Sequence, residues 1–138
     1  MSSKRVRRAY RFRFYPTPQQ EELLRRTLGC ARLVYNKALA LRSESWTRDR
    51  RNVTFKDTSR MLTEWKRDEN LGFLNDVSCV PLQQALRHLQ QAYANFFNHK
   101  GDYPTFKRKS RGGSASFTRY AFTWNESKRE LKLAKMRE

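Results

Sequence analysis

The side chains here that could do chemistry are arginines and aromatics interleaved at short spacing, and the chemistry they suit is adhesion to phosphate. Residues 1–16 hold six basic groups (Lys4, Arg5, Arg7, Arg8, Arg11, Arg13) and no acid. A second run, Pro104-Thr-Phe-Lys-Arg-Lys-Ser-Arg-Gly-Gly113, is basic with one aromatic inside it. Arginine outnumbers lysine 20 to 10, and guanidinium forks fit phosphate oxygens and guanine edges, although a GC-rich genome gives the same bias. Arg5, Arg7, Arg8, Arg11 and Arg13 in the first run are therefore candidates for RNA or DNA backbone contacts. Lys107, Arg108, Lys109 and Arg111 are the candidates in the second. Tyr103 and Phe106 either stack on a base between those charges or anchor the loop.

Bond-breaking chemistry is poorly supplied. His88 and His99 share a face of one proposed helix, but three turns separate them by about 16 Å, too far for one metal ion. The acids cluster near helix starts or beside Arg and Lys, as caps and solvated pairs do. Cys30 and Cys79 are the only cysteines, too few for a disulfide scaffold or a four-thiolate zinc site. Cys79, just before Pro81, is either an exposed thiol or a half-buried residue at a helix start. There is no phosphate-cradling glycine loop and no serine elbow. The expectation is a chain with no catalytic residue, no metal and no cofactor, not an enzyme on its own.

Thirty basic residues against 13 acidic in 138 leave a net charge of +17. Thirteen of those units lie in residues 1–16 and 100–138, while residues 17–99 carry only +4. The charge is thus placed as two basic flanks around a quieter middle, which suits a phosphate-contacting surface on a scaffold. No run of about 18 apolar residues exists, which excludes a transmembrane helix, and the basic N-terminus lacks the apolar stretch of a signal peptide. Few strong core-formers and high charge approach the composition of disordered chains, but 18 aromatics pull the other way. These features predict a soluble, intracellular, cytoplasmic protein with a polyanionic partner.

The elements that must position these groups follow from periodicity. Tyr10, Phe12 and Phe14 alternate with Arg11, Arg13 and Tyr15, predicting a strand with its apolar face inward. Thr17 and Pro18 start a long helix with the stripe Leu24, Leu28, Ala31, Tyr35, Ala38, and with Arg25, Arg32 and Arg42 on other faces. Thr47 to Asn52 is a polar loop. Thr54 with Asp57 caps a second helix carrying Met61, Leu62 and Trp65, which Asn70-Leu-Gly72 breaks. Ser78 caps a third, with Leu82, Leu86, Leu89 and Tyr93. Phe117 to Trp124 and Arg129 to Lys135 are strands joined by a turn at Asn125–Lys128. The expected class is α+β: an N-terminal strand, a three-helix lobe and a C-terminal hairpin. A standard helix-turn-helix is weakly supported, because a long arginine-rich loop separates the first two helices.

Six stretches in order resemble the N-terminal part of the TnpB family, also called OrfB, the RNA-guided nucleases of small insertion sequences. They are Tyr10-Arg-Phe-Arg-Phe-Tyr-Pro-Thr-Pro18, Leu28-Gly-Cys-Ala-Arg-Leu-Val-Tyr-Asn36, Leu82-Gln-Gln-Ala-Leu86, Ala92-Tyr-Ala-Asn-Phe-Phe97, Tyr103-Pro-Thr-Phe-Lys107 and Leu131-Lys-Leu-Ala-Lys-Met136. The resemblance implies that the strands are part of an incomplete wedge-type barrel and that the helices form a recognition lobe. It divides the chain into a first wedge strand at 1–16, a helical recognition lobe at 17–100, and a basic loop with the wedge hairpin at 101–138. The partners it implies are a guide RNA from the element end and duplex DNA beside a short target-adjacent motif, RNA–DNA pairing supplying the longer specificity.

By position, the resemblance carries motif reading to Phe55 and Ser59 on the second helix, Cys79, Val80 and Gln83 at the start of the third, and Thr118 and Arg119 after the basic loop. Gln83 stands out, because a carboxamide pairs with an adenine edge; the alternatives are a solvated polar residue on the helix for Gln83 and ordinary core packing for Phe55 and Val80. Cys79 departs from a lysine in a family member, which puts base preference there in doubt. The family's RuvC-like acidic residues and zinc ribbon would lie beyond Glu138, so the expectation is a truncated or isolated N-terminal portion, nucleoid-associated, without cleavage chemistry. The alternative is a DNA- or RNA-binding repressor of the intact nuclease or element.

Overall fold

The computed structural model describes residues 7–135. Its elements are helices α1 (Pro18–Asp49), α2 (Phe55–Arg67) and α3 (Cys79–Phe97), followed by an antiparallel hairpin of β1 (Phe122–Asn125) and β2 (Glu130–Leu133). A 3-10 segment, Glu69–Asp76, joins α2 to α3, and short 3-10 turns occupy Lys109–Arg111 and Arg119–Ala121. The class is α+β.

Each helix begins where its sequence supplies a cap. The Thr17 hydroxyl accepts from the Gln20 amide at 3.3 Å, while the Gln20 side chain accepts from the Thr17 amide at 2.9 Å. Thr54 and Asp57 repeat this reciprocal arrangement on α2. There, hydrogen bonds from the Thr54 backbone and hydroxyl hold the Asp57 carboxyl below its ordinary range. Ser78 accepts from the Val80 amide to open α3. Such caps satisfy amides that have no intrahelical partner. α1 ends in a left-handed residue, Arg50 at φ 52°, whose amide bonds back to Trp46 O at 3.0 Å.

The core lies where α1 and α3 pack side by side, with α2 and the 3-10 segment Glu69–Asp76 packed on each other and α2 also on α3. Val34, Ala38, Leu39, Leu62, Leu74, Val77, Leu82, Leu86 and Leu89 are all at most 2% exposed. Fully burying one of these valine or leucine side chains contributes roughly 1.5–3 kcal/mol. Ala31, Tyr35 and Ala38 of the expected stripe are buried, with Val34 and Leu39 beside them, while Leu24 and Leu28 toward the start of α1 are only half-buried. α1 also runs to Asp49, so only residues 50–54 connect it to α2, fewer than the expected loop. α3 stops at Phe97, and His99 lies beyond it at φ 59°, off the helix it was expected to share with His88.

Residues 7–17 form no strand. Tyr10, Phe12 and Phe14 are 72%, 71% and 56% exposed, rather than facing inward. Alternation lets a segment be a strand; a ladder partner makes it one. Among the described residues the sheet has two strands, which pair only with each other. Phe12 instead stacks on Trp124 of β1 with ring centroids 5.7 Å apart. No barrel closes among these residues. β1 is also shorter than expected, because Arg119–Ala121 turns before it. The hairpin is tied to the helical body by Lys135 Nζ, which donates to Asn75 O at 2.8 Å.

Candidate nucleic-acid interface

The loop after α3 does not hang free. Asn36, on α1, grips the backbone of Lys107 from both sides: its amide nitrogen donates to Lys107 O at 2.9 Å and its oxygen accepts from Lys107 N at 2.8 Å. The Lys107 ammonium then lies 4.5 Å from the centre of the Tyr35 ring. Pro104 is buried, and Gly112 takes φ 74° with ψ −166°, a conformation open almost only to glycine. The loop so folded borders an open groove of about 580 Å³ lined by Tyr35, Tyr103, Phe106, Lys107, Arg108 and Arg111, among others. Five of the candidates from the sequence therefore meet at one place. Lys109 sits in the same 3-10 turn as Arg111.

Tyr103 is the anchor of this loop. Its hydroxyl is 3.0 Å from that of Ser43 and 3.1 Å from that of Tyr93, and its ring meets Tyr93 and Phe96 edge-on. Beneath them Arg42 is 8% exposed, not on an outer face as its place in the helix pattern suggested. Its guanidinium lies 4.1 Å from the Tyr93 ring centre and donates to Gln90 Oε1 at 2.9 Å. Burial pulls the Arg42 pKa down. Burial, chiefly, pushes the Tyr93 phenol up to about 12.

A raised phenol pKa favours the neutral form in the folded chain. Its contribution to stability is complete below the ordinary value of 10 and is lost as pH climbs from 10 toward 12. The thermal midpoint is expected to fall across that window, and Tyr93→Phe to reduce the fall. Scanning calorimetry at stepped pH checks this, and an identical decline in both proteins would count against it.

A second polar cluster lies where α2 meets α3. Ser59 donates its hydroxyl to Gln83 Oε1 at 3.1 Å. Phe55 lies one turn before Ser59 and is half-buried against the core, and the Arg87 guanidinium stands 4.9 Å from its ring centre. Cys79 is exposed and Val80 half-buried, one turn before Gln83. Ser59 and Gln83, named separately from the sequence, are thus joined. Thr118 and Arg119 are exposed on another element, at the 3-10 turn before β1, with no hydrogen bond to this pair.

Arg7, Arg8, Arg11 and Arg13 are exposed and pair with no carboxylate among the described residues; Arg5 lies outside them. The three ion pairs there are Arg25–Glu21, Arg26–Glu22 and Arg60–Asp57. Asn36, Ser43 and Arg87 are the site residues that sequence reading missed. Asn36 could have been suspected as a polar residue between buried helix positions; nothing local signals Ser43 or Arg87. Among the described residues no cluster of three His, Cys, Asp or Glu side chains could hold a metal ion, and no helix is long and apolar enough to cross a membrane.

Residues 1–51 match a family described as a helix-turn-helix domain, of the OrfB type of IS605. Within that match the described structure holds the single helix α1, with α2 following after residues 50–54. The chain is 53% identical over 136 residues to a putative RNA-guided DNA endonuclease of Streptomyces pristinaespiralis, an alignment covering 98% of this chain and 33% of that protein. It is 35% identical over 103 residues to the putative RNA-guided DNA endonuclease InsQ of Escherichia coli K12, covering 75% and 26%. It is 33% identical over 111 residues to the virulence protein VsdF of Salmonella dublin, covering 74% of this chain and 93% of VsdF. The chain thus spans a third or less of the two endonuclease relatives.

Proposed function

Because the chain belongs to the OrfB family of IS605-type insertion sequences, aligning with the N-terminal part of its RNA-guided endonuclease relatives, we propose that it is a nucleic-acid-recognition module. In this reading it binds duplex DNA beside a short target-adjacent motif together with a guide RNA from the element end, and supplies recognition without cutting. Residues 17–100 are the recognition lobe, flanked by wedge segments at 1–16 and 101–138. It acts in the cytoplasm, at the nucleoid.

The observation that carries this reading is the Ser59–Gln83 hydrogen bond across α2 and α3. A carboxamide held by a neighbouring hydroxyl has its orientation settled before DNA arrives. Oε1 keeps a second lone pair to accept from the adenine exocyclic amine, and Nε2 donates to N7, the bidentate pairing that reads adenine in the major groove. Arg87 stands one turn further along α3, where a cation favours the approach of phosphate. Phe55 and Val80, one turn before Ser59 and Gln83, read the motif with them, and Cys79, Thr118 and Arg119 meet neighbouring bases. Arg5, Arg7, Arg8, Arg11 and Arg13 track the backbone.

Gln83→Ala is expected to lower discrimination between motif and scrambled duplex by about 10-fold, in keeping with roughly 1–3 kcal/mol for a bidentate base contact. The slope of log affinity against log salt should not change, since no phosphate contact is removed. Competition binding with paired oligonucleotides measures both, and undiminished motif preference would overturn the assignment.

A second reading has its own support. VsdF is matched over 93% of its length, so a relative of comparable size stands as a separate protein. In that reading the chain occupies DNA or guide RNA and represses an intact nuclease. Cleavage by a related full-length enzyme should slow as the chain is added, and an unchanged rate at saturation removes the idea.

A further inference from the structure

The groove over Tyr35 is built differently from a surface for duplex DNA. A duplex is bound by charges spread along its phosphates or by an element laid in a groove of the DNA. Here the groove is in the protein and open on one side, and its volume of about 580 Å³ is of the size that receives one small organic group, roughly 300–1,000 Å³. A base and its sugar fit such a space, and a ring face on its wall can stack only on a base that has left its neighbours.

The lining suits a single base. Phe106 is 57% exposed and has no aromatic neighbour among the described residues, so its ring face is open. Lys107, Arg108 and Arg111 supply positive charge on the same wall, and among the described residues no acidic side chain lines the groove. Aromatic faces beside cations are how single strands are held. The wall is also set in advance. Asn36 clamps the Lys107 backbone, the Tyr103 hydroxyl is tied to Ser43 and Tyr93, and Gly112 takes a turn that other residues resist. A fixed site binds without the cost of ordering its loop.

We propose that this groove holds one unstacked nucleotide of a single strand, its base on Phe106 and its flanking phosphates on Arg108 and Arg111. This rests on the nucleic-acid reading above, and it goes further by assigning a separate subsite with a preference for single strands over duplex.

The test uses the whole chain and oligonucleotides of about twelve nucleotides carrying one 2-aminopurine, as single-stranded RNA, single-stranded DNA and duplex DNA. Wild-type protein should change the 2-aminopurine emission of a single strand as its base leaves its neighbours. Phe106→Ala should weaken single-strand binding about 10- to 100-fold and duplex binding less than about twofold, and Phe106→Trp should restore it. Phe106→Ala exposes no core, and circular dichroism confirms that both variants are folded. An effect on the RNA strand, on the DNA strand or on both supports the subsite and identifies its sugar preference. Equal weakening of single strand and duplex, or of neither, overturns it. If the inference alone fails, motif duplex is still bound through Gln83. If no oligonucleotide is retained at low salt, the parent reading has failed.

Discussion

With Lys107, Arg108, Lys109 and Arg111 all replaced by alanine, affinity for nucleic acid at about 0.1 M salt is expected to fall roughly 10²- to 10³-fold. Each phosphate neutralised adds about 0.9 to the salt slope for duplex and about 0.7 for single strands. Four lost contacts therefore flatten the slope by about 3.6 for duplex and about 2.8 for a single strand. The loop should survive the change, since Asn36 holds Lys107 through its backbone amide and carbonyl, which alanine retains. The comparison is Arg25→Ala with Arg26→Ala. Those guanidiniums already pair with Glu21 and Glu22, and their removal should change the slope little. Fluorescence anisotropy across a salt series measures both; equal slopes for the loop variant and wild type would refute the role of this loop.

Leu86→Ala has the largest expected effect on stability. Leu86, on α3, is 1% exposed within the buried core cluster, and a buried Leu→Ala change costs about 2–5 kcal/mol through lost transfer energy and the cavity left behind. A domain of this size is stable by only about 5–15 kcal/mol, so the thermal midpoint should drop by roughly 10 °C or more. Leu131→Ala is the contrast. That residue is 45% exposed on β2, and its truncation should cost less than about 0.5 kcal/mol. Thermal unfolding of the two variants separates them, and similar midpoints would show that the helical seam is not the core.

Much of the helical body was legible in residue order because its signals are local. Thr17-Pro18, Thr54 with Asp57, and Ser78 before Pro81 mark helix starts through bonds spanning two or three residues. Leucines spaced at three and four mark the seam of α3. Arg42 misled because burial of a charged side chain depends on what faces it, here Tyr93 and Gln90 from another helix. The alternation at Tyr10, Phe12 and Phe14 misled for a related reason: it describes a capacity to pair, and among the described residues nothing supplies the ladder.

The functional groups divide in the same way. Composition and order alone determined that the chain is strongly cationic, that its charge sits in two flanks, and which loop carries aromatics among basic groups. Those are sums over residue types, independent of folding. Only tertiary structure decided that Ser59 reaches Gln83, that Tyr103 anchors while Phe106 stays open, and that Asn36 holds Lys107 from 71 positions away. Contacts between residues so distant in the chain follow from how helices pack, and packing follows from the shape of the whole core rather than from any local pattern.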